Sequence, residues 1–156
     1  MMKKTIIVLI AVLGLAVAAS AQPRAIGVRM GVFEGGLCQV SYEHSTRVDD
    51  FVQLDLGGYT KSGSTCFDLT GTYNWMVAKP EWTARGEWGF YLGAGASIGT
   101  YMDKDQSDMR LGILGQAGLE YTFPFPLQLS ADIRPYINFG NAGFIVSPCL
   151  SARYRF

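Results

Sequence analysis

From residue 26 onward the chain alternates apolar and polar side chains with a period of two, and no window carries a sustained 3.6-residue apolar stripe. A period of two sends successive side chains to opposite faces of an extended strand, so the pattern commits the chain to β-structure. Ile26, Val28, Met30 and Val32 alternate with Gly27, Arg29 and Gly31. The alternation returns in Cys38, Val40 and Tyr42, in Val52, Leu54 and Leu56, in Phe67, Leu69, Tyr73 and Trp75, and in Trp88, Phe90 and Leu92. Three longer runs begin at Leu111, Leu127 and Phe144. The pattern therefore predicts eight strands. Turn-forming clusters separate most of them: Glu34-Gly35-Gly36, Lys61-Ser62-Gly63-Ser64, 103–108, Pro124-Phe125-Pro126 and 140–143. No linker or shift in composition marks a second domain.

The N-terminus is different. Lys3 and Lys4 precede an apolar stretch over 6–19, which ends in Ala19-Ser20-Ala21. A basic start, a short apolar middle and a small-x-small end describe a secretory signal peptide. The stretch falls short of the roughly 20 residues a membrane-spanning helix needs. Cleavage after Ala21 is expected, leaving 22–156 as the mature domain. No cysteine lies near that point, so a lipid anchor is not expected. The whole chain carries 13 basic and 13 acidic residues; losing Lys3 and Lys4 leaves 11 against 13. That balance excludes a basic nucleic-acid binder. One histidine excludes a multi-histidine metal site, and three cysteines exclude a dense disulfide framework. No metal or cofactor is expected.

The charges test the phase of the strands. Arg29, Glu43, Asp55, Asp68, Arg110, Glu120, Asp132, Arg134, Arg153 and Arg155 all fall on the polar face, and none falls on the apolar face. The polar face is also rich in glycine: Gly27, Gly31, Gly57, Gly93, Gly95, Gly112 and Gly118. Small residues suit the crowded interior of a narrow barrel better than a solvated exterior. The polar face is therefore expected inside and the apolar face toward lipid. Aromatic residues fall near strand ends, as two girdles would. Tyr42, Tyr73, Trp75, Trp88, Tyr121, Phe123, Tyr154 and Phe156 are expected at one rim. Phe33, Tyr59, Phe67, Tyr101, Phe139 and Phe144 are expected at the other.

The last strand ends with apolar residues at alternate positions, Leu150, Ala152, Tyr154 and the terminal aromatic Phe156. With the signal peptide and eight alternating strands, this resembles the small eight-stranded outer-membrane β-barrels, the OmpA/OmpX-like group, over the whole mature chain. The resemblance implies an all-β fold, a single antiparallel up-and-down transmembrane barrel in the bacterial outer membrane. It implies outer-membrane lipid as the surroundings and the barrel-assembly machinery as a partner that reads the C-terminal strand. A monomer is expected, with no nucleic-acid partner.

The ten inward charges are five of each sign, which reads as a paired, side-chain-filled lumen; a conducting pore favours one sign. Arg29 and Glu43 are expected to pair across the first hairpin. His44 stands beside Glu43 and Ser45, but neighbouring strand residues face opposite ways, so no nucleophile–base site forms there. Catalysis is therefore not expected. Lipid A deacylase barrels resemble this chain in location, but they need their His/Ser pair at the outer leaflet, and His44 belongs to the other rim. Cys38 should face lipid and Cys66 and Cys149 the lumen, on non-adjacent strands, without a disulfide. Asp103, Asp105 and Asp108 lack the glycine and terminal glutamate of a calcium loop and read as a solvated turn. Pro135 and Pro148 lie inside strands of a barrel that has no edge, so a bulge or missing ladder bonds is expected, with the two prolines facing each other if the last hairpin turns at Asn141-Ala142. The loops are short; the longest, 100–107, should face outward and 76–87 the periplasm, where it could meet a partner.

Three functional readings result. The first is a structural or surface-interaction role in the cell envelope. The second is a narrow transporter or lipid-acting enzyme on the same barrel. The third is a secreted, soluble, lipocalin-like barrel, whose apolar face would have to turn inward.

Overall fold

The computed structural model describes residues 24–32, 36–61, 64–102, 107–140 and 143–156. Residues 1–21, where a signal peptide is expected, lie outside them, as do Phe33, Asp103, Asp105 and the candidate last turn at Asn141-Ala142. Eight strands run in order: β1 (Arg24–Val32), β2 (Gly36–Ser45), β3 (Asp50–Lys61), β4 (Ser64–Ala78), β5 (Glu87–Met102), β6 (Ser107–Thr122), β7 (Leu127–Asn138) and β8 (Gly143–Arg155). Each pairs antiparallel with its neighbours in sequence, and β1 closes on β8 from Ala25↔Arg155 to Gly31↔Cys149. Closure removes the free edges that an open sheet would present.

The faces sort as the alternation requires. Arg29 and Asp55 are fully buried in the lumen, while their strand neighbours Met30 and Leu56 are 58% and 52% exposed outside. Between strand ends no outward position carries a charge. Glycine makes the narrow interior possible. A Cβ on Gly118 would fall into the ring of Tyr91, its ladder partner. The fully buried Tyr91 ring lies over that glycine, and Phe51 packs against it edge-on at 5.3 Å.

Four expectations need correction. First, Pro135 pairs with Val146 and Pro148 with Ile133, so the prolines do not face each other. The missing ladder bonds expected at the prolines are nevertheless found, because each sits at a lapse in a ladder. The β6–β7 pairing stops at Leu114↔Tyr136 and resumes at Ala117↔Ile133 in the same register, so bonds are lost around Pro135 without a bulge. Arg134 bridges the gap by donating to Gln116 Oε1 at 3.0 Å. The β1–β8 ladder ends one position short of Pro148, and the Ser147 hydroxyl donates to the Val32 carbonyl at 3.1 Å where a proline can donate nothing. Second, the irregular pairing falls between Met76 and Ala78, where no proline stands. Third, Tyr59 and Tyr101 point inward, joining Leu37, Cys66 and Cys149 in an apolar lumen cluster instead of a girdle. Fourth, the connections are shorter than expected: 103–106 and 79–86.

Gly118→Ala is expected to cost about 1–3 kcal/mol, because the added methyl must displace the Tyr91 ring. Denaturant unfolding of the refolded protein in detergent measures it. An unchanged midpoint would mean the ring moves aside freely.

Candidate functional site in the barrel lumen

An ionised side chain inside a barrel this narrow must find its partners across the lumen. At mid-height two arginines and two aspartates do so in alternation. Arg29, from β1, grips Asp132 of β7 with both terminal nitrogens, Nη1 to Oδ2 at 2.6 Å and Nη2 to Oδ1. Arg134 Nη2 donates to Asp55 Oδ2 at 2.5 Å. The ring is completed by Arg29 Nε at 4.0 Å from Asp55 and Arg134 Nε at 4.0 Å from Asp132. Neutral groups fill the remaining bonds. Gln53 Nε2 donates to Asp55 at 3.0 and 3.1 Å, Gln116 Nε2 to Gln53 Oε1 at 3.2 Å, and the Tyr91 hydroxyl to Asp132 at 3.3 Å.

Toward the chain termini, Arg153 lies 3.5 Å from Glu43 and donates to Ser41 and Ser130 at 3.0 Å each. Gln128 Nε2 sits between two carboxylates, donating to Glu43 at 3.3 Å and Glu120 at 2.8 Å. Arg155 donates to Thr122 at 3.1 Å. Toward the opposite end the lumen turns more apolar. Arg110 donates to the Tyr59 hydroxyl at 2.7 Å and lies 5.2 Å from the centre of the Tyr101 ring. Asp68 accepts from Gln39 at 2.7 Å and Thr70 at 3.1 Å.

All ten charged residues expected on the polar face lie on the lumen side of the wall. The expected Arg29–Glu43 pair does not form. The register sets Arg29 opposite Gln39 and Glu43 opposite Ala25, so the two are four positions apart along the hairpin, and each finds its partner across the lumen instead. The four residues of the C-terminal motif, Leu150, Ala152, Tyr154 and Phe156, share the outer face, and the first three sit in ladders with both β1 and β7. His44 faces outward beside Tyr42, whose hydroxyl lies 3.4 Å from Nδ1. Cys38 is exposed, Cys66 and Cys149 are buried, and all three are free thiols. The amides that complete the network, Gln39, Gln53, Gln116 and Gln128, were absent from the charge-based reading. They share the polar phase, so alternation alone could have marked them.

Removing one member of a buried ion pair leaves the other charged and unsolvated. Asp132→Ala is expected to cost about 3–5 kcal/mol. The exposed Lys79–Asp49 pair at the rim, 2.6 Å apart, should contribute under about 1 kcal/mol, so Asp49→Ala is the reference. Unfolding midpoints of the two refolded variants test the difference; equal midpoints would mean the ring does not hold the barrel.

No protein-family model and no curated protein matches this sequence. Solved structures do. The chain is similar to the N-terminal β-barrel domain of Pseudomonas aeruginosa OprF (TM-score 0.71, 15% identity, 86% of this chain and 97% of that one). It is similar to a major outer membrane protein from Thermus thermophilus (TM-score 0.57, 15% identity, 88% and 100%). It is also similar to Neisserial surface protein A (TM-score 0.51, 11% identity, 86% and 94%). By these likenesses and its closed antiparallel order, the chain has the fold of the small eight-stranded outer-membrane β-barrels.

Proposed function

We propose that the chain is an integral protein of the bacterial outer membrane, exported through a cleaved signal peptide over 1–21, with a side-chain-filled lumen and a non-catalytic role in the envelope, as a structural component or through its exposed surface. One observation carries this: the outer wall is apolar while the ionised groups are inside. Leu150, 68% exposed, stands between the buried Cys149 and Ser151. Water would penalise such a wall; lipid covers it. A soluble lipocalin-like barrel needs the opposite arrangement.

The balanced lumen supports packing over conduction. The ring of Arg29, Asp55, Asp132 and Arg134 occupies mid-height with no excess of either sign. Among the described residues no observation favours a transporter or a lipid-acting enzyme. His44 has a tyrosine hydroxyl and no nucleophile among its described contacts. The resemblance supports a monomer whose C-terminal strand is read by the assembly machinery during insertion, with the strand connections 46–49, 79–86 and 123–126 toward the periplasm.

Two measurements test the reading. In the native host the protein should pellet with membranes and migrate faster on SDS gels unboiled than boiled. Reconstituted into planar bilayers, it should give no stable conductance steps. A soluble, heat-indifferent protein would sink the membrane assignment, and steady ohmic channels would sink the filled lumen.

A further inference from the structure

Two lumen carboxylates, Glu120 and Asp68, have no ion pair among the described residues, and of the two only Asp68 keeps a buried oxygen without a hydrogen-bond partner. Among the described residues, no arginine or lysine nitrogen lies within 4.0 Å of Asp68, in contrast to Asp55, Asp132 and Glu43. Its setting is built from glycines. Gln39, Gly57, Asp68, Gly99 and Arg110 are successive ladder partners across β2 to β6, so Asp68 has a glycine on each side. A Cβ at Gly57 would run into the Cys38 carbonyl and one at Gly99 into the Phe67 carbonyl, so both glycines let the neighbouring backbone come close. A cavity of about 70 Å³, with Gly99 in its wall, lies beside the carboxylate.

Two acceptors on that cavity have no partner: Asp68 Oδ1 and Gln39 Oε1, both fully shielded from solvent. Gln39 is only 3% exposed. Its amide orientation is fixed, because Nε2 donates to Asp68 Oδ2 and the flipped amide would set oxygen against carboxylate. The cations nearby are committed elsewhere. Arg134 is held by Asp55 and Gln116, and Arg110 by the Tyr59 hydroxyl and the Tyr101 ring. The wall carries an apolar patch of Leu37, Tyr59, Cys66, Leu114 and Cys149, beside the polar Thr70, Ser97, Tyr136 and Ser147 and the committed guanidinium groups of Arg110 and Arg134.

We propose that this cavity binds a small primary alkylammonium ion, its N–H groups donating to Asp68 Oδ1 and Gln39 Oε1 and its short alkyl stem lying against the apolar patch. The chemistry selects that class. Both orphan atoms accept, so the guest must donate at least twice. The unpaired carboxylate calls for a positive charge, which water does not bring. A metal ion would need more oxygen ligands than these two side chains provide, and no cluster of three or more metal-binding residues occurs among the described residues. The volume admits a few heavy atoms and no more.

The probe is ethylammonium chloride, titrated at constant ionic strength into the full mature barrel refolded in detergent micelles. The readout is NMR of the Gln39 side-chain amide and the Gly57 and Gly99 backbone amides. Saturable shifts are expected with ethylammonium and none with sodium or with the oversized tetraethylammonium. Asp68→Asn should weaken binding by about tenfold or more, the loss of one charge-assisted bond. Asp49→Asn, at the rim, should leave it unchanged. Should the Asp68 variant not refold, the size series on the unaltered protein decides alone. Absent shifts, equal shifts with sodium, or an unaffected Asp68→Asn would overturn the site and leave a cavity that holds water only.

Discussion

The Arg29–Asp132 and Arg134–Asp55 pairs join strands whose backbones never meet. β1, β3 and β7 are separated by at least one strand in every direction round the barrel. Ladder bonds fix each strand to its two neighbours and leave the cross-section free to flatten. Side chains that reach across the lumen brace it. They also decide what the outer wall must be. A closed eight-stranded sheet has room inside for little more than its own side chains, and here that room goes to charges and amides. The apolar half of every strand is thereby turned outward, where burial needs a partner other than protein. The choice of solvent for the wall follows from the choice of filling for the lumen.

Glycine is the second half of the same arrangement. Arg29, Tyr91 and Arg153 are among the largest fully buried side chains in the barrel. Bulk of this kind at some inward positions requires its absence at others. Tyr91 faces Gly118 across the β5–β6 ladder, and the Cβ that Gly118 lacks would occupy the Tyr91 ring. Where a glycine faces a smaller group the space is not consumed. Gly99 pairs with Asp68, and both line the cavity.

Strand number, strand phase and the inward direction of all ten charges were legible in the sequence, because a period of two is a property of each strand by itself. Partner choice was not. Arg29 and Glu43 looked like neighbours on a hairpin, but a shift of two positions in a turn separates them, and nothing in alternation sets a turn to that accuracy. The prolines failed for the same reason: the actual register offsets Pro135 from Pro148 by two places. Arg29 finds Asp132 across 103 residues of sequence, a contact that only closure creates. The amides were overlooked for a different reason. Glutamine carries no charge to be counted, yet a buried carboxylate between two arginines still needs donors on its remaining lone pairs, and Gln53 supplies them to Asp55.

The aromatic residues show how far phase alone can be trusted. Proximity to a strand end suggested two girdles, yet position along a strand and direction across it are independent. Tyr59 and Tyr101 lie near one end but share the inward phase, so they pack with Leu37, Cys66 and Cys149 in the lumen. At the other end the outward phase holds, and the rings touch in series: Trp82 on Trp88 at 5.4 Å, Trp88 on Tyr121 at 4.7 Å, Tyr121 on Phe123 at 4.6 Å and Phe123 on Phe125 at 4.9 Å. Trp82 belongs to the 79–86 connection, and it also meets the outward-facing Phe90 edge-on at 5.5 Å. The Tyr121 hydroxyl donates to the Arg85 carbonyl at 2.9 Å and ties the same connection to β6. That segment, expected from the sequence to face the periplasm, is laid against the rim of the barrel. Its hydrogen bonds and ring contacts are directed to the barrel's own rim, and its apolar surface continues the face that lipid would cover.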